Sequence, residues 1–146
     1  MPSRRRSRER ALQMLFLWDV SKLDVRDAVA AFYETMRASE SAEPAKHDAF
    51  ADQLATGVAS NAAAIDKRIV RHAEHWRIER MPAVDRNILR LAVYEMVHGG
   101  TPAAVAIDEA LELARRFSSE ESVQFVNGVL DAVNKEVPRA DLPEPG

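Results

Sequence analysis

Five arginines stand within the first ten residues, at positions 4, 5, 6, 8 and 10, and an apolar helical run follows them directly. The guanidinium group pairs bidentately with phosphate and stacks on bases, so a dense run of arginine indicates a site for a polyanion. A helix that begins near Arg4 would place these charges in its first turns, where the helix dipole disfavours each cation by about 0.3–1 kcal/mol. Arginines four residues apart, such as Arg4 and Arg8, also repel one another. Because helix stability does not account for the run, we predict that an external polyanion relieves both penalties.

The positive charge is confined to this end of the chain. The whole sequence has 20 basic and 23 acidic residues, a net charge of −3, and the first ten residues alone carry +4, so residues 11–146 carry −7. This asymmetry favours a local polyanion-binding segment over a protein that is basic across a whole face. The alternative is that the segment is an incidental, solubilising tail.

Other constellations that could do chemistry are absent or weak in the sequence. No phosphate-binding glycine loop and no GxSxG elbow occurs, and the absence of Cys excludes thiol nucleophiles and Cys-based metal sites. His72 and His75 could face one metal ion, but no third ligand stands at motif spacing. The carboxylates of Asp108, Glu109 and Glu112 are typical of a solvated helix exterior. We therefore predict a protein that is not an enzyme, with no catalytic residue, no metal site and no cofactor.

Length and hydropathy place the chain among globular proteins. It has 146 residues, of which 47% are hydrophobic, and one domain of this size can bury roughly two-thirds of its unfolded surface. The apolar run ALQMLFLW is short and has no signal-peptide cleavage site, and no stretch reaches the roughly 18 residues of a membrane span. The sequence predicts a cytoplasmic protein without a membrane segment.

Twenty-four Ala, three Thr and little strand-like alternation predict an all-α fold of six or seven helices. The first helix should fray over residues 4–10 in the free protein, because of arginine repulsion. The expected helices run from about Arg4 to Val20, from the Asp24 N-cap to Met36, from His47 to Trp76 with a bend or division at Gly57 or Asn61, from Pro82 to the Gly99–Gly100 pair, from Pro102 after a Thr101 N-cap, and from Ser118, whose spacing to Glu121 matches a capping box.

The last two helices show clear apolar stripes and one weak point. Gly128 lies inside the last helix, where Gly costs about 1 kcal/mol relative to Ala, so the close approach of another helix is the expected compensation. Phe125 lies off the apolar stripe and is either a packing residue or a partly exposed stacking platform. The predicted stripes are Ile107, Ala110, Leu111, Ala114 and Phe117 in one helix and Val126, Val129, Leu130, Val133 and Val137 in the other.

Two segments, LRLAVYE at residues 89–95 and VAIDEALELARRFSSEESVQFVNGVLD at residues 105–131, resemble the NusB family of bacterial transcription antitermination factors. The correspondence, with the Arg-rich start, runs in order from about Arg4 to Val137. It implies an all-α fold of two small helical bundles packed across each other. The expected organisation is one domain over residues 1–137, with an Arg-rich arm (1–10), bundles at about 11–76 and 82–137, and a disordered tail at 138–146.

The resemblance also implies a function and partners. Members of the family bind the boxA element of ribosomal RNA transcripts jointly with NusE, a ribosomal small-subunit protein, and act with RNA polymerase to suppress premature termination. Whether this chain is a monomer or a homodimer that hides its RNA-binding face stays open. The residues that match RNA-contacting positions are Arg4, Arg5, Arg6, Arg8, Gln13, Phe16, Glu121 and Phe125, and those that match a partner-facing pair are Asp85 and Arg86. Phe16 stands where relatives often carry Tyr, so stacking without a hydroxyl contact is expected there.

Two alternatives belong to other classes. NusB-like modules are also fused to a ribosomal RNA cytosine methyltransferase, but that enzyme needs a Rossmann-like domain and catalytic cysteines, which this sequence lacks. The other alternative is a purely protein-interacting helical domain whose basic arm is incidental. RNA affinity that does not change when the arginines are replaced would favour it.

Overall fold

The computed structural model describes residues 3–39, 47–74 and 76–137. Within these ranges the chain forms seven α-helices and one short 3₁₀ turn and no β-strand, which confirms the all-α prediction. The loop expected around Pro44, the His75 side chain and the tail at 138–146 lie outside the described residues. The helices are α1 (Arg4–Val20), α2 (Val25–Ser39), α3 (Ala49–Ser60), α4 (Ala62–His72), α5 (Ala83–Val97), α6 (Ala103–Phe117) and α7 (Glu120–Glu136), and the 3₁₀ turn is Ile78–Arg80.

The first compact unit comprises residues up to Ser60. α1 packs against both α2 and α3, and α2 also contacts α3. The core of this unit is a small apolar cluster supplied by one face of each helix, as the 3.6-residue periodicity requires. Its largest fully buried side chains are those of Met14, Leu15, Leu54 and Val58.

The second unit begins at Asn61 and is built around α5. α5 packs against α4, α6 and α7, and its residues from Asn87 to Met96 are all buried, as expected for a helix that is covered on all sides. α4 packs on α5 and α7, so it belongs to this unit. The sequence expectation, which assigned residues up to about 76 to the first bundle, therefore differs from the observed division after Ser60.

Local signals account for several helix ends. The Ser3 hydroxyl accepts a hydrogen bond from the Arg6 N–H at 3.1 Å and caps α1, which spans the predicted residues. Asp24 Oδ1 accepts from the Arg26 N–H at 2.9 Å at the start of α2, as predicted. The long helix predicted from residue 47 to 76 divides at Asn61, one of its two expected weak points.

Two predicted caps are shifted by one residue. Pro102 is itself the N-cap of α6, and the Thr101 hydroxyl donates to Glu95 Oε1 at 3.0 Å, so Thr101 does not cap the helix. Ser119 caps α7, since its Oγ accepts from the Ser122 N–H at 3.1 Å. The predicted capping box of Ser118 and Glu121 is therefore wrong, because a tertiary contact described below occupies the Ser118 hydroxyl.

The predicted apolar stripes are partly correct. In α7, Val126, Val129, Leu130 and Val133 are buried as expected. In α6, Phe117 is 43% exposed, and Leu113 is buried instead. The stripe of α6 is thus turned toward Ala106, Ala110, Leu113 and Ala114.

Gly128 does not mark a close helix crossing. The residue is exposed, and a Cβ built on it would have no neighbouring atom within 4 Å. Within the second unit, as far as the structure describes it, no other helix approaches Gly128 closely, so the predicted close crossing is wrong there. Gly99 behaves differently, because a Cβ there would lie 3.0 Å from Glu95 Cα and 3.2 Å from the Glu95 carbonyl oxygen. Across the described ranges, no helix combines the length and the apolar character that crossing a membrane requires.

Candidate nucleic-acid interface

One exposed face of α1 carries most of the residues predicted to contact RNA. Arg5, Arg6, Gln13 and Phe16 are all exposed, and Phe16 retains 41% of its accessible surface. Residues seven apart, such as Arg6 and Gln13, lie nearly above one another on a helix, and Phe16 is one turn further along. We call these four residues the exposed α1 face. Guanidinium groups for phosphates, an amide for hydrogen bonds and an aromatic ring for stacking lie together on it.

Arg4 and Arg8 flank this face and interact with Phe50 of α3. The guanidinium carbon of Arg4 lies 3.9 Å from the centroid of the Phe50 ring, and that of Arg8 lies 5.6 Å from it. Arg4 is exposed, whereas Arg8 is buried, with 6% of its surface accessible. Cation–π contacts contribute about 0.5–1 kcal/mol at exposed sites and more when desolvated. Arg8, predicted as an RNA ligand, thus lies between α1 and α3 with little of its surface accessible, and its contact with RNA stays a prediction.

A buried carboxylate opposes the arginine charge inside the first unit. Asp48, 4% exposed, accepts hydrogen bonds from the Ser7 hydroxyl at 2.8 and 3.0 Å and from Arg10 Nη1 at 3.2 Å. Its Oδ1 also accepts from the Ala51 N–H at 3.1 Å, at the start of α3. Asp48 therefore links the first turns of α1 and α3. Part of the arginine run is balanced within the protein, which the sequence pattern did not predict.

Tyr33 holds Asp48 from the other side. Its hydroxyl accepts a hydrogen bond from the Asp48 N–H at 2.6 Å and donates to Asp52 Oδ1 at 2.8 Å. Burial, together with the hydrogen bond and negative charge of Asp52, raises the pKa of Tyr33 to about 12. The His47 ring stacks on Tyr33 at a centroid distance of 4.2 Å. Beside this network lies a cavity of about 500 Å³, lined by Arg4, Ser7, His47, Asp48, Ala49, Phe50 and Gln53.

A second cavity lies in the second unit, at the start of α7, where Glu121 and Phe125 were predicted to lie near RNA. Its volume is about 310 Å³. Phe125 is partly exposed and meets Trp76 edge to face, with ring centroids 6.4 Å apart and an interplanar angle of 63°. Phe125 therefore makes a packing contact and is also partly exposed, so both interpretations of it stay open. The lining residues are Trp76, Met81, Pro82, Asp85, Ser119, Glu121, Ser122 and Phe125.

Asp85 lines this cavity, and Arg86 is hydrogen-bonded to Met81, another of its lining residues. Asp85 is 4% exposed, and its two oxygens accept from the hydroxyls of Ser118 at 2.6 Å and Ser122 at 2.7 Å. Arg86 donates to the Met81 carbonyl at 3.0 Å. Asp85 is thus largely enclosed by the serines around the start of α7, and the partner-facing role of the pair stays a prediction.

The metal hypothesis gains no support from the described side chains. Within them, no group of three or more His, Cys, Asp or Glu residues could hold a metal ion. His72 instead pairs with Glu136, which Arg71 also contacts. That pairing was not visible in the sequence, because 64 residues separate His72 from Glu136.

Sequence reasoning missed three contributors to these sites, namely Asp48, Phe50 and Trp76. Asp48 had a detectable signal, since an Asp directly before an apolar helical run is a typical N-cap. Phe50 and Trp76 were interpreted only as members of a helical pattern. Their roles depend on which side chains lie across from them, and the sequence carries no signal for that.

Known proteins are similar to this chain over nearly its whole length. The model of the NusB family matches residues 5–135. The transcription antitermination protein NusB of Solibacter usitatus (strain Ellin6076) is 63% identical over 143 residues, which cover 98% of this chain and 96% of that protein. The transcription antitermination protein NusB of Koribacter versatilis (strain Ellin345) is 49% identical over 136 residues, covering 92% and 90% of the two chains.

Solved structures of NusB proteins are also similar to this chain. T. maritima NusB matches with a TM-score of 0.80 at 32% identity, over 96% of both chains. A chain in a crystal structure of the antitermination factors NusB and NusE in complex with dsRNA matches with a TM-score of 0.79 at 25% identity, over 92% of this chain and 97% of that one. From the nearly complete match to the family model and the extent of these identities, we conclude that this chain belongs to the NusB family.

Proposed function

We propose that this chain is a transcription antitermination factor, which binds the boxA RNA of ribosomal RNA operon transcripts together with NusE and is required for efficient ribosomal RNA transcription. The observation that carries the proposal is the exposed α1 face, where Arg5, Arg6, Gln13 and Phe16 present phosphate-binding and base-stacking groups side by side. The structural similarity to a NusB chain solved with NusE and dsRNA supports it.

The arginines of this run have two different roles, RNA binding and packing. Arg5 and Arg6 are exposed on α1 and bind phosphates. Arg4, exposed above the Phe50 ring, binds RNA with its guanidinium plane oriented by that ring. Buried Arg8 holds α1 against Phe50 and so keeps the exposed arginines in place. In the second unit, Phe125 and Glu121 supply the RNA contacts at the start of α7.

The proposal includes the setting in which the protein acts. It works in the cytoplasm as a non-catalytic subunit of an antitermination complex with NusE and RNA polymerase. Arg86 contributes to the partner-facing side, while Asp85 shapes that side from within by fastening the start of α7. A homodimer that covers the exposed α1 face would compete with RNA.

A filter-binding titration tests the function. Labelled boxA RNA and a scrambled RNA of the same composition are each titrated with the protein, with and without NusE. We expect tighter binding of boxA than of the scrambled RNA, and a further gain when NusE is present. Equal affinity for both RNAs in the presence of NusE would contradict the proposal and favour a purely protein-interacting helical domain.

A further inference from the structure

His47 and Gln53 have no role in the proposed function, although both line the cavity at the start of α3 together with Arg4. Both residues are exposed, and 70% of the His47 side chain is accessible. The cavity volume of about 500 Å³ lies within the range of small-molecule sites, roughly 300–1,000 Å³. The cavity therefore has room for one nucleotide of an RNA chain.

Arg4 can bind a phosphate in this cavity while it keeps its contact with Phe50. Its guanidinium carbon lies over the Phe50 ring, 3.9 Å from the centroid. The N–H donors of a guanidinium group lie in the plane of the group, at its edge. Contact with the ring therefore leaves donors for a bidentate pairing with a phosphate, which is the geometry that arginine favours.

The His47 ring is oriented by two contacts within the first unit. It packs on Tyr33 with ring centroids 4.2 Å apart, and its Nδ1 lies 3.3 Å from Asp52 Oδ2. A carboxylate beside Nδ1 favours a proton on that nitrogen, so Nε2 is the nitrogen that an external group can use. In the neutral ring Nε2 is an acceptor, which a phosphate oxygen cannot pair with. In the protonated ring it is a charged donor, which suits a phosphate.

The two carboxylates near His47 are each held by donors of the protein. Asp48 accepts hydrogen bonds from the Ser7 hydroxyl and from Arg10, and Asp52 accepts one from the Tyr33 hydroxyl. Tyr33 stays uncharged at neutral pH, because burial raises its pKa to about 12. The charged and titratable groups around His47 thus come from all three helices of the unit. They are Arg4 and Arg10 of α1, Tyr33 of α2, and Asp48 and Asp52 at the start of α3.

We propose that Arg4, His47 and Gln53 bind one phosphate of the RNA backbone in this cavity, and that His47 does so in its protonated form. The site rests on the proposed RNA-binding function and adds to it a contact that depends on pH. Histidine changes its charge between about pH 5 and 8, so affinity rises as the pH falls through this range. Because a phosphate carries no sequence information, the effect applies to any RNA.

Filter binding of scrambled RNA at several salt concentrations, at about pH 8 and about pH 6, tests the site. Wild type should bind about two- to five-fold more tightly at the lower pH, as expected for one exposed ion pair. Its log–log slope against salt should also steepen by about 0.7, for one more neutralised phosphate. His47→Gln should lose both changes. His98→Gln, which alters an exposed histidine of the second unit, is the matched control and should keep them.

His47→Lys separates a phosphate contact from a packing role. A lysine is charged at both pH values, so this variant should bind at about pH 8 as tightly as wild type does at about pH 6. A residue that acted only by packing on Tyr33 would not be rescued by lysine.

The site is wrong if the pH dependence of wild type persists in His47→Gln, or if wild type shows none. Neither result affects a preference of the protein for boxA. If wild type with NusE does not prefer boxA, the proposed function fails, and the pH series with scrambled RNA still decides the site. Absence of binding to either RNA would contradict both.

Discussion

At the N-terminal end of α1, one residue type serves two purposes. Arg8 is buried against Phe50 and Arg10 pairs with Asp48, so both contribute to the packing of the first unit. Arg5 and Arg6 are exposed on the helix face that also carries Phe16. Replacing an arginine should therefore affect either stability or RNA binding, according to its position on the helix.

Replacing Arg5 and Arg6 together with Ala should weaken binding to boxA and scrambled RNA alike, because phosphates carry no sequence information. The log–log slope of affinity against salt should flatten by about 0.7 for each phosphate of single-stranded RNA that the variant no longer neutralises. Binding titrations at several salt concentrations measure it. Arg26→Ala, an exposed arginine of α2, is the matched control and should leave the slope unchanged. A double variant with the wild-type slope would remove these arginines from the interface.

Glu136 predicts a residue-scale pH effect. The hydrogen bond from His72, and then the charges of Arg71 and Arg68, lower the pKa of Glu136 below its ordinary value of 4.5. A carboxylate whose folded-state pKa is lowered stabilises the protein above its unfolded pKa, and this contribution is lost as pH falls through the folded-state pKa. Glu136→Gln should thus be less stable than wild type at neutral pH, and the difference should disappear in acid. Urea unfolding from neutral pH to below 4.5 measures it. A constant difference across that range would show that Glu136 acts by packing alone.

At the scale of the helices, the start of α1 is held by a contact from a distant part of the chain. Asp48 binds Ser7 and Arg10 of α1 and caps α3 through Ala51, and Tyr33 of α2 binds its backbone. The three helices of the first unit therefore meet at one carboxylate. This contact is the reason that the Arg-rich first turns can be helical despite their mutual repulsion.

Asp48→Ala should destabilise the first unit by about 1.5–3 kcal/mol, the usual range for hydrogen bonds to a charged group. Asp48→Asn should cost less, because its amide oxygen can still accept from the Ala51 N–H. Amide exchange over residues 4–10 should accelerate in both variants, while the amides of α5 stay protected. Rapid exchange of residues 4–10 already in wild type would mean that Asp48 does not order this end of α1. It would instead agree with the fraying that arginine repulsion alone predicts.

Gly128, inside α7, and Gly99, two residues after the end of α5, should respond to Ala in opposite directions. Gly128→Ala should stabilise the protein by about 1 kcal/mol, because Ala is the better helix former and nothing lies within 4 Å of the new Cβ. Gly99→Ala should destabilise it, because its Cβ would meet the Glu95 backbone at 3.0 Å. Thermal unfolding of the two variants side by side gives the comparison. Destabilisation by Gly128→Ala would indicate that another helix does approach Gly128 closely, contrary to the structure.

At the scale of the whole molecule, the charge distribution limits how RNA can be attracted. The chain carries −3 overall, and all of its excess positive charge lies in the first ten residues. Long-range attraction is therefore weak, and affinity must come from a few close contacts together with stacking and a partner. This is consistent with joint binding of RNA by the protein and NusE.

The wild-type salt slope should accordingly be shallow. Neutralisation of about three phosphates, one each by Arg4, Arg5 and Arg6, corresponds to a log–log slope of about −2 on single-stranded RNA. The slope should be similar with and without NusE if NusE adds mainly protein contacts and stacking. Filter binding at several salt concentrations gives both slopes. A slope much steeper than about −2 for the protein alone would show that basic residues other than Arg4, Arg5 and Arg6 bind phosphate as well.

The sequence by itself determined the helical architecture. Apolar periodicity and local caps act within one or two turns, so the ranges of α1 and α2, the division at Asn61 and the buried stripe of α7 were predictable. The local positive charge of the arginine run could likewise be predicted from composition alone. The caps at Thr101 and Ser118 were mispredicted because these hydroxyls bind Glu95 and Asp85, acceptors that a local rule does not include.

Only the tertiary structure decided what each polar side chain faces. Asp48 meets Ser7 across 41 residues, and Asp85 meets Ser122 across 37, so both carboxylates stabilise their units from inside. The cavity of Trp76 and Phe125 arises in the same way, from two segments that periodicity places on separate helices. Local sequence sets the helices and their apolar faces, because those depend on neighbours along the chain. Long-range packing sets the binding sites, because they depend on neighbours in space.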